Sequence, residues 1–298
     1  MKTIYSTSDR NINICLSDFN IIISYDININ NIDLIIFNEH YDNSLYMMAK
    51  SLQIPCYGND RFDKLQQYFI LHKILNINCP KTYYNIQTGK NINTVDELNA
   101  FVDIDKFIVK PISGARGIGI EYITRDEWKK CMFDSKNIPN VFKNEFINDP
   151  DTNKLISRDC DVDINYIKDS FRSGNFIIQD KIDVMREFRL LLFRNSEYLC
   201  YERIKQSSDV LCSNMTHGSK PKPVIKNSDD DINIIYPMIN DLYKIFDITN
   251  YPWVSIDLYV DSNNKTGVFE FQMEFAYEGF DYKDVKYNMT ENLKYLTK

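Results

Sequence analysis

Short apolar runs alternate with one helical pattern over the first 60 residues. Ile21–Ser24 and Ile32–Phe37 are short and rich in β-branched residues, which is typical of buried strands. Asn43–Leu52 carries Leu and Met at helical spacing, and Ile54–Tyr57 resumes a strand pattern. Strand, helix and strand in this order predict a small open α/β sheet in residues 1–60.

Helical and extended patterns continue to alternate in the middle of the chain. Apolar positions 65, 68, 69, 71, 74 and 75 predict a helix from about Arg61 to Leu75, capped by Asn59 and Asp60. A capping box at Thr94–Glu97 predicts a helix to about Phe101, and a further helix spans about 125–136. Residues 137–175 are polar and weakly periodic, so we predict an irregular insertion with one short helix at most, or a flap.

The last third of the chain has mainly strand patterns. One helix is predicted over about 230–246, after a loop at 205–223. The predicted strands are 176–182, 186–194, 196–204, 253–260 and 266–272.

Composition changes this picture little. The 298 residues are 44% hydrophobic and 26% charged, as in an ordinary soluble protein with two or three subdomains. A formal charge of −7 gives no electrostatic support to nucleic-acid binding. The seven cysteines include no Cys-x-x-Cys pair, and the chain shows neither a signal-peptide pattern nor an apolar run of roughly 20 residues. We therefore expect a cytoplasmic protein with reduced thiols and no membrane partner.

A lysine followed by a glycine-rich loop is the most informative motif. The apolar run Phe107–Val109 ends at Lys110, glycines follow at 114, 117 and 119, and a strand pattern resumes at Ile120. This order suits a hairpin that folds over a polyphosphate, with backbone N–H groups and the ammonium donating to its oxygens. Taken alone, such a segment is more often an ordinary hairpin with a glycine-rich turn.

Acidic and amide side chains recur on the last two predicted strands. Glu270 and Gln272 are two residues apart and share one face of their strand, and Asp257 lies within the preceding strand. Two carboxylates and an amide oxygen form a hard, all-oxygen set that suits Mg²⁺ bound to phosphates. A solvated strand face remains the alternative interpretation.

Two arginines and one polar loop complete the candidate chemistry. Arg189 and Arg203 lie on neighbouring predicted strands and suit charge stabilisation at a transferring phosphoryl group, although surface arginines would show the same pattern. Asn214 lies in the loop at 205–223. His40, His72 and His217 form no cluster in sequence, so hydrolase chemistry of the Ser–His–Asp type finds little support.

In this order, the motifs of residues 59–275 resemble the ATP-grasp superfamily, most of whose members are ATP-dependent carboxylate–amine ligases. Asp63–Lys64 and Asn78–Tyr83 are similar to the family's first nucleotide lysine and its proline–threonine turn. Lys110 and the glycine loop are similar to the second lysine and the phosphate loop. The resemblance implies that the loop residues Gly114, Arg116, Gly117 and Gly119, the adenine hinge Gln179, Asp180, Lys181 and Ile182, and the ribose carboxylate Glu187 bind ATP.

The same resemblance implies the catalytic and metal residues. Arg189, Arg203 and Asn214 fall where ribosomal-protein glutamate ligases and related peptide ligases have their catalytic Arg and Asn residues. Asp257, Glu270 and Gln272 fall at the metal positions, which would hold Mg²⁺, with Mn²⁺ as an alternative. Two departures are visible: Gln272 replaces the usual Asn, and Met273–Gly279 replaces the usual small-residue tail.

The resemblance also implies an architecture and a reaction. We expect an ATP-grasp fold of mixed α/β (α+β) class, with subdomains at 61–182 and 183–298 gripping ATP after the small α/β subdomain at 1–60. The implied reaction joins a carboxylate to an amine through an acyl phosphate and releases ADP and phosphate. The acid and amine stay open among amino acids, peptides and protein termini. A catalytically degenerate ATP-binding protein and an ATP-grasp kinase acting on a small polyol are the alternatives.

Overall fold

The structure is a computed structural model. It describes residues 1–7, 12–15, 17–23, 29–37, 43–58, 62–113, 120–133, 146–148, 155–157, 160–163, 175–204, 219–224, 230–273, 275 and 279–298.

The N-terminal sheet has four parallel strands in the order β2-β1-β3-β4. Its elements are β1 (Thr3–Ser6), β2 (Asn20–Ile22), β3 (Leu34–Phe37), α1 (Asn43–Ser51) and β4 (Cys56–Gly58). The predicted small α/β sheet is thus confirmed. Strand β1 was not predicted, because only two of its four residues, Ile4 and Tyr5, are apolar and the run is too short to show a period.

The central sheet has five strands in the order β6-β5-β12-β7-β8. Its strands are β5 (Thr82–Asn85), β6 (Lys90–Asn91), β7 (Lys106–Pro111), β8 (Glu121–Thr124) and β12 (Phe176–Gln179). Strands β7 and β8 are antiparallel, with Val109 opposite Glu121. The predicted hairpin around the glycine segment is therefore confirmed for its two strands.

Three helices belong to this central part. They are α2 (Lys64–Tyr68), which continues as a π-helical segment Phe69–Ile74, α3 (Val95–Phe101) and α4 (Arg125–Phe133). The capping box of α3 at Thr94 and Glu97 is confirmed. The predicted cap of α2 is wrong: Asp63 is the N-cap, and its carboxylate accepts from the Gln66 N–H. Asp63 is the preferred cap because Gln66, three residues on, completes a capping box: the Gln66 side-chain oxygen accepts from the Asp63 N–H.

Two segments predicted to lack strands contain them. Within 137–175, short antiparallel strands occur at β9 (Phe146–Asn148), β10 (Leu155–Ser157) and β11 (Cys160–Asp163). Within 205–223, β15 (Lys220–Pro223) pairs with the strand Leu199–Ile204 at the sheet edge. Three or four residues are too few to show alternation, and prolines are tolerated on an edge strand because they need not donate to a ladder.

The C-terminal sheet has five antiparallel strands in the order β15-β14-β13-β16-β17. Its other elements are β13 (Val184–Phe193), β14 (Leu199–Ile204), α5 (Asp230–Tyr243), α6 (Ile245–Thr249), β16 (Trp253–Asp261), β17 (Thr266–Gln272) and α7 (Tyr282–Leu296). Apolar residues of β13 and β16, such as Leu190 and Ile256, are buried in one core with Met289 and Leu293 of α7. Alternation therefore places Arg189 and Asp257 on the opposite face of the sheet. Among the helices of the described segments, none is long and apolar enough to cross a membrane.

The central part of the chain covers the edge strand β17. The Val268 N–H donates to the Asn78 carbonyl (2.9 Å), and the Phe271 N–H donates to Gln67 Oε1 (3.0 Å). The Asn78 amide also donates to the Thr266 carbonyl at 2.8 Å. These bonds satisfy backbone groups that an edge strand otherwise exposes, and they hold β17 against α2.

A glycine makes room for Tyr259 beside this contact. A Cβ at Gly267 would lie 2.3 Å from Tyr259 Cζ. The Tyr259 ring cannot easily retreat, because it packs against Phe269 with centroids 4.6 Å apart and its hydroxyl accepts from Asn78 at 3.3 Å.

We predict that Gly267→Ala destabilises the protein by about 1–3 kcal/mol, since the added methyl group overpacks a buried contact. Urea unfolding measures the change. In a Tyr259→Leu background the same substitution should cost less than about 0.5 kcal/mol, because the obstructing ring is gone. An equal penalty in both backgrounds would show that the ring is not the obstacle.

Candidate functional site

Lys110 and Gln179 lie on the same face of the central sheet. Lys110 is opposite Ile177 on the neighbouring strand, and Gln179 is two residues beyond Ile177. Ile177 packs against Leu65 and Tyr68 of α2. Alternation therefore places the side chains of Lys110 and Gln179 on the α2 side of the sheet, and both residues are buried.

Lys64 connects this face to the C-terminal sheet. It is the first residue of α2, and its backbone N–H donates to the Ile112 carbonyl at 3.0 Å, just beyond β7. Its ammonium nitrogen lies 4.0 Å from Glu270 Oε2 on β17. One short helix thus contacts both the strand that leads into the glycine segment and the strand that carries the candidate metal ligands.

Cys79 interacts electrostatically with residues of both sheets. Burial raises the pKa of its thiol to about 12, and the positive charge of Lys110 acts in the opposite direction. Burial also raises the pKa of the Tyr259 hydroxyl, and the next contribution comes from Cys79. Lys110 of the central sheet and Tyr259 of the C-terminal sheet therefore both lie within electrostatic reach of one thiol.

Four buried charges form an arginine–carboxylate cluster on the C-terminal sheet: Glu187, Arg189, Arg203 and Asp257. Arg189 faces Asp257 across the β13–β16 ladder and donates to both of its oxygens, Nε to Oδ1 at 2.7 Å and Nη2 to Oδ2 at 2.8 Å. Arg203 Nη1 donates to Glu187 Oε1 at 2.9 Å and to Asp257 Oδ2 at 3.1 Å. Two positive and two negative charges balance in this buried set.

The ionisation of the cluster follows from this pairing. Burial alone would raise the pKa of the Asp257 carboxyl, but Arg189 and Arg203 outweigh it and lower that pKa to about 2. Burial disfavours the Arg203 cation too, and the carboxylates Asp257 and Glu187 more than compensate, so its pKa is raised. All four residues are less than 10% exposed. Asp257 is therefore an anion at neutral pH.

The three candidate metal ligands share one region of the sheet. Asp257 lies opposite Glu270, and Ser255 lies opposite Gln272. The ladder shifts register between Asp257 and Leu258, which is a bulge of the kind often found beside active sites. Among the described residues, no group of three or more His, Cys, Asp or Glu side chains could hold a metal, so Gln272 would have to complete the set.

The donor chemistry of this set fits a hard divalent cation. Arginine N–H groups occupy three of the roughly four lone-pair positions of Asp257, which leaves one on Oδ1. The Glu270 side chain is 27% exposed, so its carboxylate is accessible to a ligand. Carboxylate and amide oxygens are the ligands that Mg²⁺ and Mn²⁺ accept in proteins. Glu270 would be the main ligand, with Asp257 and Gln272 supporting it.

The chain resembles known proteins in its structure but not in its sequence. No protein-family model matches the chain, and no curated protein matches its sequence. Similar solved structures include D-alanine–D-alanine ligase from Bacillus anthracis complexed with ATP, with a TM-score of 0.55, 14% identity and 99% of each chain covered. D-alanyl-alanine synthetase A from Vibrio cholerae gives a TM-score of 0.58 at 11% identity, with 99% of this chain and 97% of that chain covered.

A third similar structure is carboxyaminoimidazole ribonucleotide synthase from Aspergillus clavatus complexed with ATP. Its TM-score is 0.57 at 10% identity, and the match covers 92% of this chain and 70% of that chain. The chain has the ATP-grasp fold. At these sequence identities the likeness concerns the fold alone. It confirms the ATP-grasp fold that the order of the sequence motifs predicted.

The remaining predicted site residues of the described part of the chain lie in two regions. The hinge residues follow one another at the end of β12: the Asp180 N–H donates to the Lys81 carbonyl at 2.9 Å, and Lys181 Nζ lies 4.7 Å from the centre of the Tyr122 ring. Glu187 is engaged by Arg203. The predicted residues Gly114, Arg116, Gly117, Gly119 and Asn214 lie outside the described residues.

Tyr259 and Gln67 of this region were not singled out from the sequence, and Asn78 was named only as the first residue of the proline–threonine turn. Tyr259 shares the strand face of Asp257 two residues away, so strand alternation could have identified it. Gln67 and Asn78 cap the backbone of β17 from the central part. No sequence pattern indicates those contacts, because they join positions nearly 200 residues apart.

We predict that Arg189→Met destabilises the protein by about 3 kcal/mol, since it removes two bonds from a buried carboxylate. The matched control is Arg186→Met on the same strand. Arg186 also makes two bonds to one carboxylate, Glu202, at 2.6 and 2.8 Å, but its side chain is 25% exposed and Lys222 lies 3.6 Å from Glu202. The control should lose about 1 kcal/mol or less in urea unfolding at pH 7. Equal losses would contradict a special role of the buried cluster.

Proposed function

We propose that this protein is an ATP-dependent carboxylate–amine ligase that forms an amide through an acyl phosphate and releases ADP and phosphate. One observation carries the proposal: Lys64 Nζ lies 4.0 Å from Glu270, so a phosphate-binding candidate on α2 meets a metal-binding candidate on β17. The ATP-grasp fold supports it, because the similar structures include two that contain ATP.

The proposed nucleotide position follows the central sheet. Lys110 and Gln179 share a face of the sheet. Ile177, the β12 residue opposite Lys110, is two residues, or about 7 Å, from Gln179. The ammonium of Lys110 would bind phosphate oxygens, and the hinge Gln179–Ile182 would contact the base. Lys64 would hold the phosphates from the opposite side. Glu187 would accept a hydrogen bond from a ribose hydroxyl, and its bond to Arg203 would weaken in turn.

Asp257, Glu270 and Gln272 would hold Mg²⁺, which would supply charge neutralisation at the phosphates. The arginine–carboxylate cluster lies beside this position. Within the described part of the chain, Arg203 Nε is buried without an acceptor, which is costly unless a ligand provides one. We infer that Arg203 donates this N–H to an oxygen of the phosphoryl group or of the acyl substrate.

The residues then divide the reaction between them. Lys64 and Lys110 fix the phosphates so that a substrate carboxylate can attack in line. Arg189 and Arg203 stabilise the negative charge that develops on the transferring group. An amine displaces phosphate from the acyl phosphate and gives the amide. The proposed substrates are amino acids, peptides or protein termini. Two of the proteins of similar fold are, by name, a D-alanine–D-alanine ligase and a D-alanyl-alanine synthetase.

A catalytically degenerate ATP-binding protein is the second candidate. It is favoured by two observations on the metal set: Gln272 is one methylene longer than the usual Asn, and Asp257 has only about one lone-pair position left. Both would weaken metal binding while leaving the nucleotide contacts of Lys110 and Gln179 in place. Dependence of the nucleotide complex on Mg²⁺ distinguishes the two candidates.

We predict that Lys110→Ala and Glu270→Ala each lower ADP formation at least about 100-fold, because each removes a charge that contacts the phosphates or their metal. ADP release is measured over a panel of amino acids and dipeptides offered as acid and amine. Lys283→Ala, an exposed lysine on α7, is the control and should retain full activity. Turnover retained in both site variants, with unchanged unfolding midpoints, would refute the assignment.

We also predict that ATP with Mg²⁺ raises the unfolding midpoint by several degrees. A ligand at about 100 times its dissociation constant adds roughly 2.7 kcal/mol to the free energy of unfolding. The shift should need Mg²⁺ and should be lost in Glu270→Ala. A shift that is indifferent to Mg²⁺ would favour the degenerate ATP-binding protein. No shift at all would contradict nucleotide binding.

A further inference from the structure

A short hydrogen-bond relay fixes the orientation of the Gln179 amide. The Thr82 hydroxyl donates to the Pro80 carbonyl at 3.2 Å and accepts from Gln179 Nε2 at 2.7 Å. A hydroxyl has one hydrogen, and a backbone carbonyl can only accept. Because the Thr82 hydrogen is committed to Pro80, the Gln179 amide must present its N–H to Thr82, and its Oε1 must point away from Thr82.

The outward oxygen lies on the face proposed to bind a nucleotide. Thr82 and Gln179 are direct partners across the β5–β12 ladder, and Gln179 shares its face with Lys110. Among the hydrogen bonds of the described residues, Gln179 Oε1 accepts none, although the residue is 95% buried. The sheet therefore presents a hydrogen-bond acceptor of fixed orientation about two strand residues from a phosphate-binding lysine.

We propose that Thr82 is a positioning residue that locks the Gln179 acceptor toward the base and so makes the site select a 6-aminopurine over a 6-oxopurine. This inference rests on the proposed function, in which the cleft binds a purine nucleotide. The amino group of adenine can donate to Oε1, whereas the carbonyl oxygen of guanine would face it as a second acceptor. An amide that was free to rotate by 180° could offer its oxygen to adenine or its N–H to guanine and would bind either base. The selectivity therefore comes from the relay.

The other contacts of the hinge do not distinguish the two bases. The Tyr83 hydroxyl lies 2.8 Å from Asp180 Oδ1 and 2.7 Å from Asp103 Oδ1 and shares its one hydrogen between them, and the Asp180 N–H donates to the Lys81 carbonyl. These bonds hold the backbone of the hinge in place but leave the direction of the Gln179 amide unchanged. Loss of the Tyr83 bond should therefore weaken adenine and guanine nucleotides alike, which makes Tyr83→Phe a matched control on the same strand.

Calorimetric titration with ADP and with GDP, each in the presence of Mg²⁺, tests the proposal. Wild type should bind ADP at least about 100-fold tighter than GDP, because a buried polar mismatch is strongly rejected. Thr82→Val removes the relay. It should lower the ratio of ADP affinity to GDP affinity (the ADP/GDP ratio) at least about tenfold, mainly through tighter GDP binding. Thr82→Ser keeps the hydroxyl and should restore the wild-type ratio, and Tyr83→Phe should leave the ratio unchanged.

A second background separates positioning from a general structural effect. Gln179→Glu presents acceptors in both orientations, so in that background Thr82→Val should no longer change the ADP/GDP ratio. A ratio that stays at the wild-type value in folded Thr82→Val would overturn the role of Thr82. Thr82→Ala provides the same test should the valine variant fold poorly. Wild type that binds neither nucleotide would instead overturn the proposed function, and this inference with it.

Discussion

The buried arginine–carboxylate cluster is the constraint on which the site depends. A single uncompensated charge in this position would cost several kcal/mol, so Asp257 can be ionised there only because Arg189 and Arg203 both contact it. This requirement ties three strands together, since β13, β14 and β16 must be in one register for the guanidiniums to reach the carboxylate. The apolar core on the opposite face fixes that register independently, because a slip of one residue would turn Arg189 into the core.

The relation between the two sheets depends on polar contacts at one edge strand. Gln67 and Asn78 satisfy backbone groups of β17 that would otherwise be open, and they bring α2 against the strand that carries Glu270. The Lys64 backbone bond to Ile112 ties the same helix to the end of β7. A displacement of α2 would therefore change the phosphate and metal positions together, so the helix couples the two halves of the proposed ATP site.

Much of this arrangement could be predicted from the sequence, and the parts that could not share a physical cause. Long runs of strand-forming residues predicted β13, β16 and β17, and β17 carries Glu270 and Gln272. The motif at Lys110 predicted the β7–β8 hairpin. The Asp63 cap and the strands of 146–163 were missed, because these features are short and carry no period. The pairing of Asp257 with two arginines is a long-range contact, which local pattern cannot specify.

The electrostatics of the site differ from those of the chain as a whole. The protein carries a formal charge of −7, which by itself would repel a nucleoside triphosphate. Within the described site, however, Lys64, Lys110, Arg189 and Arg203 outnumber Glu187, Asp257 and Glu270, so the local balance is positive. Charges in a low-dielectric cleft act over short range more strongly than distant surface carboxylates, which salt screens within about 10 Å. In the proposed site, this local excess of positive charge, and not the net charge of the chain, would favour the binding of a polyphosphate.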